Sequence, residues 1–448
     1  MRLVRVPLQY TDPAERRTIL VAVSVVRADR RSGKRPLIVL SGGPGEPIAA
    51  AATSLASSKS KSPLRRLQSD RDLVLVDQRG AGASQPSLEC TAEQEAAAPQ
   101  LAAAQTDADI RDLLVAAYSN CGQRLRSNGI DLTAFTTYAI ARDLDRVRKA
   151  LKLRRADIFA TSYGTKVALT AARRDSEWIG RIVLSSAIPP QSDFVAGAPA
   201  NFARALRALN QTCAESVNCG PNFGDLEAKL EGAPASLEAS PLSGPTPDGK
   251  TATLTAATAA QIVFSSFYDE EQLTALPRLI DALARRDPAL LTELSAQGPD
   301  GLQVAQGQQY AVLCSEELGA ATPEKLRAGL SGLPSAARLL GEFQTTVGVP
   351  ATSICPAFVP QPKPQPKSPR PLGGLGVPVL VVSGLYDQAT PPVYGQAVTE
   401  AIPNAIHIVL PAGHSPVLQA GECGMRLVRR FLSDEASGLP RCEGKKVP

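Results

Sequence analysis

From Val4 to Val26 the apolar positions come in short, partly alternating runs (Val4, Val6, Leu8; Leu20, Ala22, Val23, Val25, Val26). That is the pattern of an antiparallel hairpin at a sheet edge. Beyond it the rhythm changes. LIVL (37–40), LVLV (73–76), IFA (158–160), IVL (182–184) and VPVLVV (377–382) are short and barely alternate, as strands covered on both faces of a parallel sheet do. Between several of them the period lengthens: Ile140, Leu144, Val147 and Leu151 recur at helical spacing, with Arg and Asp between them, predicting an amphipathic helix over 138–151. Strands alternating with helices predict a doubly wound, mostly parallel α/β sheet.

From Ile188 to Val377 the strand rhythm stops, and 199–211 and 272–296 read as amphipathic helices. PAFVPQPKPQPKSPRPLGG (356–374) closes this segment; its prolines forbid a helix and favour extended, semi-rigid chain. The expected division is a first part of the sheet domain (1–188), a helical insert ending in a Pro-rich linker (189–376) and a second part of the sheet domain (377–448). No internal repeat is visible, and the Ala-rich stretch 91–105 reads as a helix or a surface loop.

A chain of 448 residues exceeds the size at which one core usually stops growing, in keeping with one large domain carrying an insertion, or with two domains. Hydrophobic residues at 44% and charged residues at 20% are ordinary globular usage, which argues against disorder of the whole chain. A net charge of +5, from 48 Lys and Arg against 43 Asp and Glu, comes without a sustained basic run and argues against a nucleic-acid partner. No stretch approaches the roughly 18 apolar residues of a membrane span, and oligomeric state is not legible, a monomer being sufficient.

The eight cysteines, Cys90, Cys121, Cys213, Cys219, Cys314, Cys355, Cys423 and Cys442, form an even set without a C-x-x-C pair. This argues for disulfides rather than a zinc ribbon, and hence for an oxidising compartment. The N-terminus lacks the apolar core of a signal peptide, so the expectation is a secreted or periplasmic protein whose leader was removed before an added Met1. Neighbours along the chain pair as Cys90–Cys121, Cys213–Cys219, Cys314–Cys355 and Cys423–Cys442, one of 105 arrangements. Eight buried thiols in a cytosolic protein are the alternative.

Three loops carry candidate chemistry. The strand DIFA (157–160) runs into TSYGTKVALTAAR, placing Ser162 at a strand-to-helix turn with Gly164 two positions on. Such a turn lifts a hydroxyl above the sheet edge and aims helix amides at the same spot, although serine is also a common helix cap. A serine hydroxyl needs a base held in its working tautomer by a carboxylate, and the chain has two histidines. His407, in AIHIVL, reads as a strand residue; His414, in the loop PAGHSP, is the base candidate. VPVLVVSGLYDQATPP supplies Asp387 just beyond a strand, while Asp77, in VDQRGAGAS, is the competing carboxylate and reads as structural. The order Ser162, Asp387, His414 is that of α/β-hydrolases.

LSGGPGEP (40–47) follows a buried-looking strand. Glycines there let main-chain amides approach an oxyanion, and the N–H groups of Gly43 and Tyr163 are the expected oxyanion hole. A phosphate-cradling loop is the alternative, but the Lys-Ser/Thr of a P-loop and the G-x-G-x-x-G spacing are missing.

Together, GGPG (42–45), DQRGAGAS (77–84), TSYGT (161–165), YDQATP (386–391) and AGHSP (412–416) resemble the prolyl-aminopeptidase and tripeptidyl-aminopeptidase family of α/β-hydrolases. The resemblance covers about 1–190 and 375–435 and implies an α/β-hydrolase fold with a helical cap. It also implies release of residues from free peptide N-termini, with Ser162 as nucleophile, Asp387 as triad acid and His414 as base. Two positions depart from the family pattern: Ser41 stands where the family has the His of His-Gly-Gly-Pro-Gly, and Ala160 replaces the first elbow glycine. The family's cap carboxylates, which hold the substrate ammonium, map to Glu316 and Glu317 of LCSEEL (313–318); two glutamates in a helical insert also read as a solvated face.

The leading expectation is a serine aminopeptidase acting on peptides through an acyl-enzyme, with no metal or organic cofactor implied. An esterase on small carboxylic esters is the alternative, because the same triad cleaves both bonds. A binding protein on a hydrolase scaffold is a third reading, since fold alone does not guarantee activity.

Overall fold

The computed structural model describes residues 1–448 apart from 31, 58, 246–250, 292–303, 319–323, 325–327, 336, 339–352, 365, 367–369, 434–437 and 443–448. The end of the helix expected over 272–296, and part of the Pro-rich stretch 356–374, lie outside the described residues.

The strands are β1 (Arg2–Pro7), β2 (Thr18–Val26), β3 (Leu37–Leu40), β4 (Leu73–Val76), β5 (Ala156–Thr161), β6 (Ile179–Ser185), β7 (Leu242–Pro245), β8 (Thr251–Leu254), β9 (Val379–Gly384) and β10 (Ile406–Leu410). Eight of them form one sheet in the order β1-β2-β4-β3-β5-β6-β9-β10. The β1–β2 and β2–β4 pairs are antiparallel, and the remaining pairs are parallel. The edge hairpin and the buried parallel strands thus lie where the apolar patterning puts them. The pair β7–β8 is a separate antiparallel hairpin that the patterning did not predict.

The central strands lack polar alternation because both of their faces are covered. Ile38, Leu40, Val74, Val76, Ile158 and Ile182 turn into one apolar cluster, whereas Leu37, Val39, Leu73, Leu75, Phe159 and Val183 turn into another on the opposite face. Side chains alternate between faces at period two, so a run of four apolar residues feeds both layers. The first layer includes helices α1 (Thr137–Ala150) and α2 (Tyr163–Arg174). The second is closed by the C-terminal helix Gly421–Leu432, through Met425, Leu427, Val428 and Phe431.

Between β6 and β9, α3 (Phe194–Glu215) and the helices Leu226–Ala239, Ala256–Ser265 and Glu270–Ala284 share a third apolar cluster. Helix α4 (Gln306–Glu316) behaves differently: Tyr310, Ala311, Val312, Leu313 and Cys314 pack into the sheet layer beside Leu125 and Phe358. The Ala-rich stretch forms helix Thr91–Ala103.

All eight cysteines pair, as Cys90–Cys121, Cys213–Cys219, Cys314–Cys355 and Cys423–Cys442, the partners that adjacency along the chain suggests. Cys314–Cys355 ties α4 to a segment 41 residues on, removing loop entropy from the unfolded chain. Among the described residues no helix is long and apolar enough to cross a membrane.

The parallel order steps outward from β3 to β4, then returns to place β5 on the other side of β3. Such a reversal opens a crevice at the C-terminal strand ends. Leu40 pairs with Ala160 across it, so the glycine loop after β3 and Ser162 after β5 emerge side by side.

Candidate active site

Ser162 joins β5 to α2 with φ 54° and ψ −127°, a strained conformation for a residue with a Cβ. Its surroundings hold it there. The Ser162 amide donates to Ser185 O on β6 at 2.9 Å, and its carbonyl accepts from Thr165 N at 2.9 Å and Thr165 Oγ1 at 2.5 Å. Gly164 is required because a Cβ there would lie 2.5 Å from Ser41 O. Among the described residues the Ser162 hydroxyl caps no helix amide, which sets it apart from an ordinary N-cap serine. The next residue, Tyr163, begins α2, where amides have no intrahelical partner; its ring is fully buried and its hydroxyl shares a hydrogen bond with Thr137 Oγ1 at 2.7 Å.

Asp387 and His414 follow β9 and β10. His414 Nδ1 lies 3.0 Å from Asp387 Oδ1 and 3.1 Å from Oδ2, and Asp387 is wholly buried. Oδ2 also accepts from the hydroxyls of Ser186 and Thr390, both at 2.7 Å, while Oδ1 accepts from the amides of Thr390 at 2.7 Å and Ala389 at 3.0 Å. Burial by itself pushes the carboxyl up, but the adjacent His414 imidazole and these donors outweigh it and hold Asp387 below the usual carboxylate range.

The neighbouring chain fixes both loops. Arg204 on α3 donates to Asp387 O at 2.6 Å and Leu385 O at 3.1 Å. His414 N donates to Phe267 O at 2.9 Å, and Gln419 bridges the Gly413 amide and the His414 carbonyl. The Tyr268 ring meets the imidazole edge-on at 4.8 Å.

Ser162 and His414 line one cavity of about 420 Å³ with Gly42, Gly43, Glu46 and Tyr268. A Cβ on Gly42 would stand 2.9 Å from Ser162 Cβ and 3.3 Å from its Oγ, so only a glycine lets the loop pass this close. The Gly42 amide is taken by Glu46 Oε2 at 2.7 Å, and the loop is closed by Ser41 Oγ donating to Glu46 O at 2.5 Å. Gly43 follows with φ 101°. An imidazole oriented by a buried carboxylate, lining one cavity with a hydroxyl held at a strained turn, is the equipment of nucleophilic acyl transfer.

A family model described as alpha/beta hydrolase fold matches residues 35–420. The chain belongs to the α/β-hydrolase family. The hydrolase is 25% identical over 222 residues to the serine protease Hip1 of Mycobacterium tuberculosis, a span of 48% of this chain and 41% of that protein. It is 26% identical over 188 residues to the putative hydrolase YuaR of Escherichia coli, covering 41% of this chain and 35% of that protein. The hydrolase thus spans less than half the length of these curated relatives. Among solved structures, a thermophilic esterase from Thermogutta terrifontis superposes with a TM-score of 0.40 at 15% identity, over 98% of this chain and 100% of that one.

Other candidate residues of the hydrolase lie apart from the cavity. Asp77 accepts from the amides of Ile48 and Ala49, both at 2.7 Å, and of Ala83 at 3.0 Å, anchoring the loops behind the glycine segment. His407 sits on β10 with Nε2 2.9 Å from Ser383 Oγ, and burial pushes its imidazole down.

Glu316 and Glu317, the pair expected to hold a substrate ammonium, have partners within the protein itself. Glu316 accepts from Thr137 N at 2.6 Å and Thr137 Oγ1 at 2.7 Å, and Glu317 pairs with Lys166 on α2 at 2.8 Å. Neither is among the residues lining the Ser162 cavity. Their carboxylates already face a cation and hydrogen-bond donors of the sheet domain, because the end of α4 packs against α1 and α2.

Ser186, Thr390, Tyr268 and Glu46 went unnoticed in the sequence. Ser186 and Thr390 follow strand-like runs and bear the small hydroxyls that carboxylate loops attract, a faint signal. Nothing local points to Tyr268, which belongs to the 3₁₀ turn Ser266–Tyr268 of the segment between β6 and β9.

Proposed function

We propose that this α/β-hydrolase is a serine aminopeptidase of the prolyl- and tripeptidyl-aminopeptidase type, releasing residues from free peptide N-termini. The observation that carries the catalytic part is the His414–Asp387 pair, at 3.0 and 3.1 Å, opening into the same cavity as the uncapped hydroxyl of Ser162. In the reaction, His414 Nε2 takes the Ser162 proton as Oγ attacks the scissile carbonyl. The amides of Gly43 and Tyr163 receive the oxyanion. The imidazolium then protonates the leaving amine, and water, deprotonated by the same imidazole, hydrolyses the acyl-enzyme. Asp387 keeps Nδ1 protonated throughout and stabilises the imidazolium.

Within the segment 189–376, α3 and the helices Leu226–Ala239, Ala256–Ser265 and Glu270–Ala284 serve as the cap, in keeping with Phe267 and Tyr268 reaching the histidine loop. The motif resemblance and the similarity to the serine protease Hip1 support a peptide substrate, and the four disulfides support a secreted or periplasmic setting. One observation favours an ester hydrolase as second reading: Glu316 and Glu317 are turned to Lys166 and Thr137.

Aminoacyl-arylamides, their N-acetylated counterparts and simple acyl esters separate the two. Hydrolysis of the free-amine arylamides, at least tenfold faster than of the acetylated forms, is the expected result. Turnover confined to esters and indifferent to acetylation sinks the peptidase reading.

A further inference from the structure

Glu46 is the ionisable residue of the glycine loop, and the proposed chemistry gives its side chain no task. It lines the Ser162 cavity, and the Gly42 amide fixes its Oε2 at 2.7 Å. The place of the missing Gly42 Cβ lies 3.2 Å from Glu46 Oε2 and 3.3 Å from Ser162 Oγ, so carboxylate and nucleophile flank the same bare stretch of backbone. Burial pushes the carboxyl up, opposed by the Gly42 amide and by the neighbouring His414 imidazole. A carboxylate desolvated in this way gains strongly from a cationic ligand, since charge-assisted hydrogen bonds replace lost hydration.

Placed beside the nucleophile, that charge is counterproductive alone, because it opposes the negative charge growing on the attacked carbonyl oxygen. A bound ammonium cancels it. The distance then selects which ammonium. The α-nitrogen of a residue lies about 2.5 Å from its own carbonyl carbon, and each residue added on the acyl side moves the terminal nitrogen outward by about 3.3–3.6 Å. A carboxylate next to Ser162 therefore suits the first residue of a peptide, whereas the terminus of a tripeptide acyl group falls about 7 Å further out. Asp269 and Glu270 also line the cavity, but the Asp269 carboxylate caps the helix Glu270–Ala284 through the amides of Glu271 and Gln272, and Glu270 stands in the first turn of that helix, where a negative charge meets the helix N-terminus.

On the aminopeptidase reading, we infer that Glu46 binds the α-ammonium of the residue being released and makes the enzyme a one-residue aminopeptidase. The test measures kcat/KM of wild type, Glu46→Gln and Glu46→Asp on aminoacyl-arylamides, their N-acetyl forms and tripeptidyl-arylamides, with fluorophosphonate labelling to show that each variant is folded and keeps its nucleophile. Wild type is expected to prefer the single free-amine residue, and Glu46→Gln to cut its advantage over the acetylated form by about ten- to a hundredfold, with partial return in Glu46→Asp. A labelled Glu46→Gln enzyme that keeps the wild-type preference overturns the role of Glu46 while leaving the aminopeptidase reading intact. Wild type that prefers tripeptidyl substrates overturns the one-residue register, and wild type indifferent to acetylation overturns both.

Discussion

Asp387→Asn is expected to lower kcat by about 10⁴-fold with little loss of folded protein. Every group that faces this carboxylate is a donor: His414 Nδ1–H, the hydroxyls of Ser186 and Thr390, and the amides of Ala389 and Thr390. The two backbone amides converge on Oδ1 and cannot reverse their polarity, so an asparagine must keep its oxygen there and put its NH₂ at the Oδ2 position. The Ser186 and Thr390 hydroxyls can rotate to accept from it. His414 Nδ1 lies 3.0 Å from the kept oxygen and 3.1 Å from the NH₂, so an Nδ1–H now faces a donor, which favours the tautomer with the proton on Nε2 and removes the base from Ser162. Steady-state kinetics with a thermal melt check this: a kcat within tenfold of wild type contradicts the orienting role of Asp387.

Lys166→Met is expected to destabilise the fold by about 3–5 kcal/mol. The ammonium is buried against two carboxylates, 2.8 Å from Glu317 and 3.7 Å from Glu316, and its loss leaves both without their cation. The penalty depends on pH. Burial pushes Glu317 up to about 7 from an ordinary value of 4.5, against the pull of Lys166, with Asp193 and Glu316 adding to the rise. A carboxyl raised on folding favours the folded state fully below its unfolded value, and that contribution is lost as pH climbs through the folded one. Removing Lys166 raises Glu317 further, so the variant is expected to melt nearer wild type at pH 5 than at pH 8, and Glu317→Gln in the same chain is expected to recover part of the loss. Calorimetric melts at the two pH values decide it; a Lys166→Met melt displaced equally at both pH values contradicts the coupling.

What could be read in the sequence was what local patterning dictates. LIVL and LVLV announce strands with two covered faces because each sends alternate residues into a different apolar layer. The positions of Ser162, Asp387 and His414 follow from the same logic, since each lies in the first loop past a recognisable strand. The opposite faces of the insert could not be read. Two adjacent glutamates at the end of a helix look alike whether they meet solvent, substrate or Lys166, and only the packing of α4 against α1 and α2 decides. Tyr268 and Glu46 were hidden for the same reason: one reaches the site from a distant turn, and the other depends on a loop that folds back so that its side chain meets the Gly42 amide.

Mass spectrometry of the protein after a fluorophosphonate probe tests the catalytic assignment most directly. One adduct on the peptide that carries Ser162, lost in Ser162→Ala and slowed by orders of magnitude in His414→Ala, is the predicted result. Labelling elsewhere, or none in folded protein, contradicts it.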